Sequence, residues 1–202
     1  MTRPILPSSL ELLTEVYRRA GSVMTGKGKY TTINELTDQI PAVRPIVLAA
    51  ALDALINVAP IPEAATLVLS EEDKGAILAG LFSFTIGLPL AMARHNVTYH
   101  IPGALSVPLS MEYMDGTLEI HGISAGDRVL LIDDTLASGG TIISLINAIR
   151  EAGADVIDIR VIVEKIGYGG RLKVLEATDI PVHAAMGIAI TSDGKVYVPD
   201  QP

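Results

Sequence analysis

Cysteine is missing altogether, so neither a disulfide nor a thiolate metal site can form, and the composition suits a reducing cytosol. A leader with a basic start, an apolar middle and a small-residue end is also missing at Met1; export is not expected, and the expected location is cytoplasmic. The longest apolar run, Ile46 to Ala59, is interrupted by Asp53 and Asn57 and is too short to cross a bilayer, so it reads as a buried helix and no membrane partner is expected. Positive charge is scarce: 15 Lys and Arg stand against 23 Asp and Glu, a net charge of −8. That balance excludes a general polyanion binder and makes nucleic acid a poor partner, while leaving room for a local basic pocket that takes a phosphorylated small molecule.

What is present is the material of a globular core. Apolar residues make up 49% of the 202 positions and charged residues 19%, with no long polar tract. This fits one domain, with an N-terminal helix and flap over residues 1–45 and an α/β core over 46–202. The flap begins with an amphipathic helix, in which Ser8 precedes Glu11 in capping-box spacing, Leu10, Leu13, Tyr17 and Ala20 share a face, and Gly21 marks the stop. Tyr30 to Ile33 then suits a short strand outside the main sheet.

From Ile46 onward, apolar strands alternate with helix-length segments. Strands are expected at 66–70, 88–94, 128–133, 156–164 and 183–190, with helices over Gly75–Ile86 and from Gly140 to Ala152. Strands that are apolar almost throughout belong to a parallel sheet covered on both faces, so the fold class is α/β, a parallel twisted sheet flanked by helices. Between Arg94 and Gly126 no helix is apparent, and a connection of that length inside a compact domain is expected to be a lid or binding loop.

The stretch that carries chemistry is VLLIDDTLASGGT, Val129 to Thr141, where an apolar strand runs into two adjacent carboxylates and then into small residues. Ligands of open parallel sheets sit at the carboxyl ends of strands, where a turn into a helix presents backbone N–H groups. Ala137 to Thr141 can wrap a phosphate, because Gly139 and Gly140 remove Cβ obstruction and Ser138 and Thr141 offer hydroxyls. Asp133 and Asp134 would repel that phosphate unless they face something else, and the vicinal hydroxyls of a ribose are suitable donors; the ligand fragment is then a ribose 5-phosphate. The alternative is a plain helix cap supplied by Asp134 or Ser138. No G-x-x-x-x-G-K-[ST] follows any strand, and GKGKYT lacks the third glycine of a dinucleotide loop.

LLIDDTLASGGT resembles the phosphoribosyl diphosphate (PRPP) motif of the type I phosphoribosyltransferases. YMDGTLEIHG (113–122) is similar to the adenine phosphoribosyltransferase segment ending in T-L-E-I-H, SEEDKGA (70–76) occupies the place of that family's I-E-A-R-G-F loop, and the region from Gly26 resembles the hood of archaeal purine phosphoribosyltransferases. The resemblance implies that Asp133 and Asp134 hold the ribose hydroxyls and, through these or water, Mg²⁺; that Thr135 and Ala137 to Thr141 bind PRPP with the 5-phosphate at the turn; and that Glu72, Asp73, Lys74 and Gly75 contact pyrophosphate. Lys74 stands where adenine enzymes carry Arg, which keeps the charge and loses the planar fork. Arg94 and His95 stand where the family shows an Arg-Lys pair facing the diphosphate, and Glu112 and Tyr113 match the catalytic flexible loop. The implied reaction is displacement of pyrophosphate from PRPP by a purine, in a homodimer. The base is expected to be adenine, giving AMP; hypoxanthine, guanine or xanthine is the alternative, because Lys165 falls where 6-oxopurine enzymes direct a Lys at the exocyclic oxygen. A PRPP-binding transcription regulator is a further alternative, but the N-terminal 45 residues hold no helix-turn-helix pair.

Overall fold

The computed structural model describes residues 7–95, 97, 102–110 and 115–199. Helix α1 (Pro7–Arg18) leads into a small antiparallel hairpin, β1 (Gly21–Met24) with β2 (Tyr30–Ile33), which stands apart from the main sheet as the sequence suggests. Leu13 and Tyr17 of α1 are fully buried against α2 (Pro45–Asn57), which has Pro45 at its first turn, where a missing N–H costs nothing.

The main sheet has eight strands: β3 (Leu67–Glu71), β4 (Leu90–His95), β5 (Leu105–Ser110), β6 (Asp115–His121), β7 (Arg128–Leu136), β8 (Asp155–Lys165), β9 (Val182–Ile190) and β10 (Val196–Tyr197). Their order is β10-β9-β8-β7-β3-β4-β6-β5. The five strands from β9 to β4 run parallel; β10 pairs antiparallel with β9 on one side, and on the other β6 is antiparallel to both β4 and β5. Helices α3 (Ala76–Ile86), α4 (Gly140–Glu151) and α5 (Gly170–Thr178) fill the crossovers. Alternation along β7 shows why both faces are covered: Val129 and Leu131 pack with Ile146 of α4, while Leu130 and Ile132 pack with Phe82 of α3 and Leu55 of α2.

Two expectations change. The stretch from Arg94 to Gly126 is not wholly a connecting loop, because β5 and β6 pair along six residues from Leu105↔Ile120 to Ser110↔Asp115, and β6 pairs with β4. Pro108 obscures β5 in the sequence, and it is tolerated because β5 is an edge strand. Helix α5 and the two-residue β10 are further elements that the strand-helix rhythm does not reveal.

From β3 the chain proceeds to β4 on one side, and from β7 to β8 on the other, so the strand order reverses between β3 and β7. The crevice beyond the carboxyl ends of these neighbours is the topological switch point at which such sheets bind ligands.

Candidate functional site

Both loops at the switch point come from the motifs singled out in the sequence. After β7 the chain turns through Ala137, Ser138 and Gly139 into α4, and Gly139 sits at φ 75°, in the left-handed region. A Cβ there would lie 2.6 Å from Val174 Cγ2, so glycine is needed for conformation and for packing on α5. No side chain caps α4, and Asp134 instead accepts a hydrogen bond from the Thr135 hydroxyl at 2.7 Å. The helix-cap alternative for Asp134 and Ser138 therefore does not describe this turn, and the first N–H groups of α4 face the cavity without a side-chain cap.

The loop after β3, Glu72 to Gly75, closes on the same carboxylates. A Cβ on Gly75 would sit 2.7 Å from Ser70 Oγ and 2.9 Å from Asp133 Oδ1, so only glycine lets the loop approach β7 this closely. Glu72, Asp73, Lys74, Gly75 and the whole run from Asp133 to Thr141 line one cavity, together with Lys165 and the hood residues Thr31 and Thr32. Arg94 and His95 are not part of that lining. Arg94 Nη1 lies 3.8 Å from Glu72 Oε1, and His95 Nε2 lies 2.8 Å from Glu71 Oε1. Glu112 and Tyr113 fall outside the described residues.

Glu71 is a buried third carboxylate that the motif comparison passes over. Burial and the charge of Asp134 raise its pKa to about 8, so at neutral pH it keeps a proton and meets His95 through a hydrogen bond, not an ion pair of full charges. Asp133 is raised well above the usual carboxylate range by burial and then by Asp134 and Glu71. Tyr17, whose hydroxyl is buried, is pushed up by burial and by Asp134. The sequence signal for Glu71 is its place as the last residue of an apolar strand, which the following Glu72 hides.

On the strand beside β7, Lys165 ends β8 almost fully buried. Its ammonium donates to the Tyr30 carbonyl of the hood at 3.2 Å and lies 5.5 Å from the Tyr168 ring centroid. Lys29 of the hood lies 5.4 Å from the same ring, so Tyr168 fastens the hood to the β8–α5 loop through cation–π contacts.

A switch-point cavity with a glycine turn at one strand, an acidic-basic loop at its neighbour and paired carboxylates between them defines an enzyme of the phosphoribosyltransferase class. The chain belongs to that family: residues 46–178 match the phosphoribosyl transferase domain, and its curated relatives place it in the purine branch. It is 34% identical over 191 residues to the hypoxanthine/guanine phosphoribosyltransferase of Methanohalophilus mahii, covering 95% of this chain and 97% of the relative. It is 32% identical over 193 residues to the protein of the same name from Methanothermobacter thermautotrophicus, covering 96% of each. The crystal structure of adenine phosphoribosyltransferase from Rhodothermus marinus aligns with a TM-score of 0.72 at 26% identity, over 89% of this chain and 98% of that one. The Trypanosoma brucei adenine enzyme, solved with AMP, pyrophosphate and ribose-5-phosphate, shares the fold with a TM-score of 0.72 at 16% identity, over 99% of this chain and 85% of that one.

Proposed function

We propose that this enzyme transfers the phosphoribosyl group of PRPP to a 6-oxopurine, hypoxanthine or guanine, in purine salvage in the cytoplasm. The observation that carries this reading is the Lys165 ammonium, buried in the wall of the cavity that the Ala137–Thr141 turn also lines. An ammonium has donors only, which suits an exocyclic oxygen and opposes an exocyclic amino group. Relatives at 30% identity or more over nearly the whole chain, named for hypoxanthine and guanine, support the same choice over the adenine expected from TLEIH.

The 5-phosphate is received by the turn from Ala137 to Thr141, the ribose hydroxyls by Asp133 and Asp134, and the pyrophosphate by Glu72 to Gly75. The hood supplies the base-side wall through Thr31 and Thr32. A purine nitrogen forms the new bond to C1 as the C1–oxygen bond to pyrophosphate breaks, the bonding electrons leave with pyrophosphate, and the nitrogen's proton passes to water. Developing positive charge on the sugar is met by the carboxylates, and exclusion of water protects it. The crowding of Glu71, Asp133 and Asp134, which holds Glu71 and Asp133 above their usual range, fits a place where positive charge arrives with the substrate. Among the described residues no cluster of three or more ligands forms a metal cage. Mg²⁺ would accordingly be held by substrate oxygens and water near Asp133 and Asp134, where it neutralises diphosphate charge. Between Gly75 and Met92 no charged residue occurs, and Phe84, Ile77 and Leu90 stand exposed there; this face supports the homodimer.

Incubation with PRPP, Mg²⁺ and each of adenine, hypoxanthine, guanine and xanthine tests the reading. Hypoxanthine or guanine is expected to yield nucleoside monophosphate and pyrophosphate. Dominant adenine turnover would reverse the choice of base, and PRPP binding without turnover of any base would favour a regulator.

A further inference from the structure

Lys74 lines the cavity, yet its side chain is engaged by the hood. Its ammonium lies 2.7 Å from Asp38 Oδ1 and donates to the Thr32 carbonyl at 3.4 Å. Asp38 is held for this contact. Its Oδ2 accepts from the Asn34 N–H at 3.1 Å and from the Thr37 hydroxyl at 2.6 Å, which leaves Oδ1 turned to Lys74. The turn that carries Asp38 is fixed in its own right, since Asn34 Oδ1 accepts from the N–H groups of Leu36 at 2.8 Å and Thr37 at 3.1 Å. Only 26% of the Lys74 side chain and 16% of the Asp38 side chain are exposed, so solvent weakens this pair less than it would an open surface pair. An ammonium has three rotatable donors, and here two go to the hood, leaving one for an anion in the cavity.

We propose that Asp38 is a positioning residue for Lys74, and that the Asp38–Lys74–Thr32 strap couples hood closure to occupancy of the pyrophosphate end of the cavity. An anion on the third donor orders the long Lys74 side chain. The hood then docks on an ammonium already fixed, at a smaller entropic cost, so anion and base strengthen one another's binding. The inference rests on the proposed PRPP and base sites, because the hood forms the wall left for the base once phosphate, ribose and pyrophosphate are placed.

Two measurements test it. Calorimetry with magnesium pyrophosphate establishes whether the loop binds the anion, and amide exchange over residues 21–38, with and without that ligand, reads the hood directly. In the wild type pyrophosphate is expected to slow hood exchange; in Asp38→Asn the hood no longer responds to the bound anion, and the gain in anion affinity that comes with hood docking is lost. Steady-state kinetics should show the KM for the base at saturating PRPP rising roughly three- to tenfold in Asp38→Asn. Adding Asp38→Asn to Lys74→Ala should produce no further rise. A hood indifferent to bound pyrophosphate in the wild type, or an added loss in the double variant, overturns the strap. Failure of pyrophosphate and PRPP to bind at all would overturn the proposed function instead.

Discussion

Lys165 at the end of β8 donates to the Tyr30 carbonyl at 3.2 Å, joining the central sheet to the hood in the cavity wall. An oxo group on a bound purine is an acceptor suited to that ammonium, where an exocyclic amino group would set donor against donor. Lys165→Ala is expected to lower kcat/KM for hypoxanthine or guanine about ten- to a hundredfold, the loss of roughly 1.5–3 kcal/mol that follows removal of a charge-assisted hydrogen bond. A variant with undiminished 6-oxopurine turnover would show that the ammonium serves only the hood.

Glu71 gives the ligand-free protein a pH dependence of definite sign. Its folded-state value of about 8 lies above the ordinary 4.5, so folding takes up a proton. The stabilisation is complete below the ordinary value and is lost as pH rises through the folded one, with a slope of up to about 1.4 kcal/mol per pH unit between. Asp133 acts in the same direction. Urea unfolding should show Glu71→Gln gaining on the wild type from pH 5 to pH 8. A constant difference between the two would show that Glu71 is ionised throughout.

Asp133 and Asp134 illustrate stability exchanged for chemistry. Replacing Asp133 with Asn keeps its shape and removes a carboxylate crowded by Asp134 and Glu71, so the ligand-free protein should be at least as stable as the wild type at pH 8. Turnover of PRPP should nevertheless fall about tenfold or more, for want of the charge that meets the ribose and its metal. If Asp133→Asn melts early instead, the carboxylate is structural.

The parallel core is legible because continuous apolar runs such as Val129–Ile132 have one stable solution, burial on both faces. Local chemistry also exposes the Asp133–Thr141 turn, since two glycines after an acidic pair constrain backbone and charge together. Long-range pairing is hidden. Nothing within Leu105–His121 announces that β6 will join β4, and Pro108 argues against a strand until its edge position is known. Glu71 and Asp38 are similarly silent, because one depends on β4 bringing His95 alongside and the other on the hood folding back to Lys74.

Among the described residues Arg160 is the largest side chain wholly shut from solvent, and it lies outside the cavity lined by Asp133 to Thr141. Its guanidinium donates to Asp158 Oδ2 at 2.7 Å, to the Leu55 carbonyl at 2.8 Å, to Ile56 at 3.2 Å and to Pro60 at 2.8 Å, so it gathers the exposed carbonyls at the end of α2 and places a cation against the helix dipole. Phe82 lies beneath it, 5.7 Å from ring centroid to guanidinium. Arg160→Met leaves Asp158 as a buried charge with, among the described residues, His183 Nε2 at 3.4 Å as its ionic neighbour, and strips the carbonyls of their donor. The expected cost is about 3–5 kcal/mol, read as a fall in the urea midpoint. Adding Asp158→Leu should recover only part of it, because the uncompensated charge disappears while the orphaned carbonyls of α2 remain. The kcat/KM of whatever fraction stays folded should be close to wild type. Full recovery in the double variant would show that the ion pair, and not the helix end, is what Arg160 serves.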